Sequence, residues 1–275
     1  MFGSYNSSRF GSDSPVVTNL IILNVLMLLV TMLVQATMGV DLNRYLGLYY
    51  FQSEYFRPWQ YITYLFMHGG FLHLIMNMWA LWMFGKVLER VWGSQRFFVY
   101  YFVTGIGAAV LHTLVNHFIL ADVYSSVVAF SNTPSPEAFL TFIREHVPNA
   151  APGVYDFINQ WEENPSDPQT ASVAIAQLNG YLKSLADIPT VGASGAVFGI
   201  LMAFGMLFPN TQLMLLIPPI PIKAKWFVLG YGAIELYLGI SQPGSSVAHF
   251  AHLGGMLFGY LLIRHWNSKR GPNLY

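Results

Sequence analysis

The sequence has no cysteine and little charge: Asp, Glu, Lys and Arg together make up 9% of its 275 residues. Without cysteine there can be no disulfide, no zinc–thiolate centre and no cysteine nucleophile. Soluble domains carry about 25% charged residues. The scarcity of charge, beside 54% hydrophobic residues and a mean hydropathy of +0.45, therefore points to a polytopic membrane protein whose principal partner is the lipid bilayer. Acidic and basic residues balance at 13 each, and no long basic run occurs, which argues against nucleic acid as a partner.

The apolar residues fall into runs that read as six membrane-spanning helices, an all-α bundle. Residues 1–15, rich in Ser, Gly and Asn, read as a disordered tail. The first apolar run, from Pro15 or Val16 to about Met38, carries no charge and at about 20 residues is long enough to span; it is too long for the core of a cleaved signal. Residues 41–59 are polar and aromatic and suit a loop lying in the interface. Spans two and three are expected at 71–91 and 95–120, so that 16–120 holds the first three helices. Composition then changes over 121–189, where Pro134, Pro136, Pro148, Pro152, Pro165 and Pro168 punctuate short amphipathic pieces. There Asp122, Glu137, Glu145, Asp156, Glu162, Glu163, Asp167 and Asp187 face only Arg144 and Lys183. This reads as an acidic, helical extramembrane insertion between helices 3 and 4.

Spans four to six follow within 190–266, at about 192–208, 224–240 and 246–266. Between the fourth and fifth, LMLLIPPIPIK is broken by three prolines and reads as skimming the interface. QPGSS makes the turn before the sixth, and 267–275 is a basic tail. Arg9, Lys86, Arg90, Arg96, Lys223, Lys225, Arg264, Lys269 and Arg270 collect on one face, against Arg44, Arg57, Arg144 and Lys183 on the other. The richer face should be cytoplasmic, which puts both termini inside and the insertion outside, in a plasma membrane of bacterial type.

With that orientation the second, fourth and sixth spans all run inward, and their first turns share a layer. His73 and Asn77 lie early in the second, Ser194 on the first turn of the fourth and His252 early in the sixth. At about 1.5 Å per residue they fall within roughly 10 Å of one depth. Gly195 and Gly199, with Gly255 and Gly259, form two Gly-xxx-Gly pairs that let backbones approach in lipid. A tight crossing there would bring the Ser194 hydroxyl to the His252 imidazole, although the same glycines would also serve packing alone.

A serine hydroxyl becomes a useful nucleophile when a base takes its proton, and histidine is the usual base. Ser194 as nucleophile and His252 as base, with the Ser194 N–H and the His73 and Asn77 side chains as oxyanion donors, complete a hydrolytic set. His73 and Asn77 are spaced i, i+4 and share a helix face. Glu235 is read as sitting in the middle of the fifth span, too deep to orient His252. The expectation is therefore a Ser–His dyad without a carboxylate, with Glu235 as a buried structural hydrogen-bonding group and His249 in helix packing or water binding.

Four stretches, HGGFLHLIMN, ER followed by WG, GASGAVFG and AHFAHLGG, make the sequence resemble the rhomboid intramembrane serine proteases from about residue 59 to 260, apart from the insertion. The resemblance implies a six-helix bundle, Ser194 as nucleophile, His252 as base, and His73 and Asn77 at the oxyanion. His68 matches the first histidine of the second-span motif, Gly192 and Gly195 flank the serine, and Glu89 with Arg90 matches a structural polar pair. Members commonly place a tyrosine where this chain has Phe198, and the insertion is outside the common core. The activity implied is an endopeptidase acting on transmembrane protein substrates, with no cofactor and no metal.

Three other readings account for less of the sequence. HGGFLH and HFAH have histidine spacings found in membrane di-iron enzymes, but no adjacent His-His pair occurs. A non-catalytic rhomboid-like protein that binds or sorts transmembrane clients would keep the bundle and lose the serine or the histidine, and this chain has both. A transporter would leave the GASG and HLGG stretches without a role.

Overall fold

The structure, a computed structural model, describes residues 14–147, 149–214, 219–242 and 247–268. Nearly all of the expected amino-terminal tail, most of the carboxy-terminal tail, most of the QPGSS turn and residues 215–218 of the proline-broken stretch lie outside the described residues. The chain is mostly helical, at 77%, and is an integral membrane protein. Among the described residues, three helices are long and apolar enough to cross a bilayer: α1 (Pro15–Met38), α2 (Phe71–Trp92) and α3 (Ser94–Asn132). A shorter apolar helix, α7, covers Ser194–Leu207. The chain forms two compact units, one of Met1–Leu48, Arg57–His112 and Pro189–Tyr275, the other of Tyr49–Phe56 and Thr113–Ile188.

In the first unit α1 presents Ile22, Leu26, Leu29, Met32 and Leu33 outward while burying Asn24 and Thr31. A helix in lipid can invert the soluble pattern so long as inward polar groups find acceptors, and here Asn24 Nδ2 donates to Leu20 O at 2.8 Å and Thr31 Oγ1 to Met27 O at 2.8 Å. The free N–H groups at the start of α1 meet Glu89, which accepts from Val16 N at 3.0 Å and Val17 N at 2.9 Å. A buried carboxylate at a helix N-terminus satisfies orphan donors and opposes the positive end of the dipole. Ser94 Oγ donates to the same carboxylate at 2.6 Å, so Glu89 ties the start of α1 to the foot of α2. Gly39, at φ 67°, closes α1 in the left-handed conformation.

Helix α2 begins after Gly70 and contains a five-residue π-helical turn at Leu81–Gly85. Helix α3 is held to its neighbours by two buried phenols: Tyr100 donates to Gly199 O at 2.7 Å, and Tyr64 donates to Gly105 O at 2.6 Å. Helices α7 and α9 (His249–Ser268) cross closely. A Cβ on Gly255 would fall inside the carbonyl group of Gly195, and one on Gly259 would meet Gly199 O at 3.2 Å. Between them in sequence lie a two-stranded antiparallel hairpin, β1 (Gln212–Met214) with β2 (Pro221–Lys223), and α8 (Ala224–Ser241). The proline-broken stretch thus supplies strands rather than a helix, as prolines at an exposed strand end permit.

Helix α3 runs 39 residues, past the expected end at 120. No glycine or proline occurs between 121 and 133, and the first breaker is Pro134. In the second unit its far half packs with α4 (Pro136–His146), α5 (Pro152–Glu163) and α6 (Pro168–Ala186). Val127, Phe130, Phe139, Phe142, Trp161 and Leu178 lie at the centre of that core. Each of α4, α5 and α6 starts with proline in its first turn, where the missing N–H costs nothing. Ser135 caps α4 by accepting from Ala138 N at 3.1 Å, and Asp167 caps α6 by accepting from Thr170 N at 3.0 Å.

Candidate active site

Ser194 opens α7, preceded by Gly192 at φ 127° and by Ala193. That φ lies outside what side chains favour, and a Cβ at Gly192 would also meet the His73 ring at 2.8 Å, so glycine is required twice over. Gly192 N donates to Tyr64 O at 2.9 Å, and Thr190 pairs with Leu48 through Leu48 N to Thr190 O at 2.9 Å and Thr190 N to Leu48 O at 2.8 Å. The approach to Ser194 is therefore held by backbone bonds on both sides. The N–H of Ser194, in the first turn of its helix, has no partner within that helix.

Ser194 Oγ and His252 Nε2 are 2.8 Å apart. The rings of Phe198 and His252 stack with centroids 4.1 Å apart and planes 5° from parallel. Phe198 lies one helical turn after Ser194, so one face of α7 presents both the hydroxyl and the ring that fixes the imidazole plane. The other imidazole nitrogen, Nδ1 of His252, lies 2.9 Å from Glu235 Oε2, and His249 Nδ1 lies 2.7 Å from the same oxygen. All three side chains are buried.

The position of Glu235 corrects the expectation that it sits too deep to reach His252. Glu235 lies six residues before the end of α8, and His252 three residues after the start of α9. From the end that these two helices share, the depths are about 9 Å and about 4.5 Å, a difference that two side chains bridge. Counting from the helix end rather than from its middle was the available signal.

His73 and His68 meet edge to face, with centroids 5.1 Å apart. Asn77 Nδ2 donates to the carbonyl of His73 at 3.0 Å, so the amide is turned along its own helix. His73 lies against Gly192 and so beside the serine, within 2.8 Å of where a glycine Cβ would stand. His68 is buried, and neither ring nitrogen has a hydrogen-bond partner among the described residues. His112 Nε2 lies 2.8 Å from Thr190 Oγ1, a contact that spacing alone did not suggest. Gly195 sits under Gly255 as described above, with Ala251 O at 3.4 Å from its would-be Cβ.

Chemically, a carboxylate is acceptor only, and each neutral imidazole has one N–H. If the Nδ1 protons point at Glu235, Nε2 of His252 is left as an acceptor for the Ser194 O–H. The donor atoms of Glu235, His249 and His252 also lie within 4.8 Å of one another, a spacing able to hold a metal ion.

Comparison with known proteins bears on the site. The Rhomboid domain family matches residues 55–127 and 169–266, more than half of the chain and all the site residues above. The unmatched stretch between them contains α4 and α5. Rhomboid protein 1, mitochondrial, of Saccharomyces cerevisiae is 26% identical over 196 residues, 71% of this chain and 38% of that protein. Rhomboid protease GluP of Bacillus subtilis is 38% identical over 52 residues, 19% of this chain and 10% of that protein. Putative rhomboid protease YdcA of the same organism is 40% identical over 48 residues, 18% of this chain and 24% of that protein. The chain thus spans well under two thirds of the length of each of these relatives. With a family match that takes in the glycine-flanked serine, the histidines of α2 and the crossing helix with its own histidine, the chain belongs to the rhomboid family.

Proposed function

We propose that this protein is an intramembrane serine endopeptidase that cleaves transmembrane protein substrates in or near their membrane-spanning helices. The observation that carries the reading is the 2.8 Å separation of Ser194 Oγ and His252 Nε2 at the start of an apolar helix. His252 Nε2 takes the hydroxyl proton as Oγ attacks the substrate carbonyl carbon. The tetrahedral intermediate places its oxyanion near the Ser194 N–H and His73, with Asn77 joining after its amide turns from the His73 carbonyl. Collapse of the intermediate breaks the C–N bond, and His252 returns the proton to the leaving amine. Water, deprotonated by His252, then hydrolyses the acyl-enzyme and restores the serine.

The same reading carries six crossings, with α7, α8 and α9 as the fourth to sixth, both termini on the cytoplasmic side of a plasma membrane of bacterial type, and the insertion, residues 121–189, on the extracytoplasmic side. It rests on the distribution of Lys and Arg between the two faces. A helical substrate hides its carbonyls in its own hydrogen bonds, so the client unwinds locally, which favours small residues near the cut. Helix α8, with Trp226, Leu229, Ile234 and Tyr237 exposed, is the proposed lateral entrance.

The test is cleavage of a tagged single-span substrate in proteoliposomes. Ser194→Ala and His252→Ala should each lower kcat by more than about 10³-fold with the fold retained. Cleavage by either variant at the parent rate would refute the reading.

A further inference from the structure

The carboxylate of Glu235 has no task in a two-residue mechanism. It is buried, on a different helix from either reacting group, and a single oxygen, Oε2, lies 2.7 Å from His249 Nδ1 and 2.9 Å from His252 Nδ1. We propose that Glu235 is a positioning residue for the hydrolysis assigned above, a third member that acts through His252, and that His249 anchors it. The inference rests on the Ser194–His252 reading and adds to it.

A lone buried carboxylate is costly, and it persists where donors surround it. Here the two donors come from one helix at i and i+3, on one face of α9. The pair clamps Oε2 along the line of His252 Nδ1. One bond selects the tautomer of His252 with its proton on Nδ1, leaving Nε2 to receive the Ser194 proton; once that proton has moved, the same carboxylate faces an imidazolium. No group beyond these is needed for the balance: the proton passes from Oγ to Nε2, the Nδ1 proton stays where it was, and Glu235 remains ionised throughout. Phe198, stacked at 4.1 Å, constrains the ring plane, whereas Glu235 constrains rotation within that plane. The two restraints are complementary, and neither replaces the other.

The experiment measures kcat and KM separately for the full chain in proteoliposomes, for the parent, Glu235→Gln, Glu235→Asp and Ser194→Ala. Glu235→Gln should lower kcat by about 10²–10⁴-fold, the range for loss of an orienting carboxylate, with KM within about threefold of the parent, since no substrate contact is removed. Glu235→Asp should recover part of that loss. In the parent protein, nitrogen-15 NMR of histidine, with the His252 signal identified by its loss in His252→Ala, should find the resting proton on Nδ1. Parent-like kcat in Glu235→Gln beside an inactive Ser194→Ala would overturn the positioning role and leave the protease reading standing. A resting proton on Nε2 would overturn it as well, and that measurement needs no variant of Glu235 to fold. Cleavage surviving Ser194→Ala would remove the underlying reading and this inference together.

Discussion

Adding one methyl group at Gly255 should separate the serine from its histidine without touching either. In Gly255→Ala the new Cβ falls inside the carbonyl group of Gly195, which is backbone and has no rotamer to yield. An ordinary C···O contact is about 3.3–3.6 Å, so α7 and α9 must part by on the order of 1 Å. Overpacking of this kind costs about 1–3 kcal/mol of stability. The catalytic cost should be larger: Ser194 adjoins Gly195 on α7 and His252 stands three residues from Gly255 on α9, so the 2.8 Å contact opens as the helices part, and a misplacement of ~1 Å costs on the order of 10²-fold in rate. The assay is the rate at which a fluorophosphonate labels Ser194, with thermal unfolding in detergent measured on the same samples. Gly230→Ala is the control, because a Cβ there meets nothing within 4 Å. Parent-rate labelling in Gly255→Ala, with unfolding unchanged, would refute the claim that this crossing sets the site.

Substitutions at three other positions probe separate links. Glu89→Ala leaves the α1 donors of Val16 and Val17 and the Ser94 hydroxyl without their acceptor, and should cost about 1.5–3 kcal/mol in a denaturation series, with labelling of the surviving folded fraction unchanged. Phe198→Ala removes the ring stacked on His252 and should slow substrate cleavage markedly, whereas Phe198→Tyr, which keeps the stack, should remain active in the same assay. Asp167→Ala should destabilise the second unit by uncapping α6. The Thr170 hydroxyl, and then the Thr170 N–H, hold the Asp167 carboxyl below its ordinary value; because the folded value is the lower one, its contribution is present above the unfolded value and is lost as pH falls through the folded one. The difference in stability between parent and Asp167→Ala should therefore be constant well above the ordinary aspartate value and narrow as pH is lowered below it.

Much of this was legible in the sequence because lipid leaves so few alternatives for the backbone. Unbroken apolar runs had to be helices, and the glycines at 195, 199, 255 and 259 had to be points of close approach, because nothing else in an apolar helix calls for that spacing. Helix ends were less legible. The end of α3 is set by Pro134 and by side-chain packing of Val123, Val127 and Phe130, and packing partners distant in sequence leave no local mark. Glu235 was misplaced for a related reason: its depth depends on where α8 and α9 turn back toward one another, and a sequence gives the lengths of two helices without the height at which they meet. The partners of Glu89 were hidden likewise, since Val16 and Val17 lie 73 and 72 residues away.

Because Glu235 rides on α8 while both of its donors ride on α9, the alignment of the imidazole depends on the contact between two separable rods. Any outward swing of α8 would carry the negative charge off with it and leave the histidine unsteered. On the proposed protease reading, the site would then be at its least reactive while its flank is ajar, and bonds would be cut only after the rod has reseated against its neighbour.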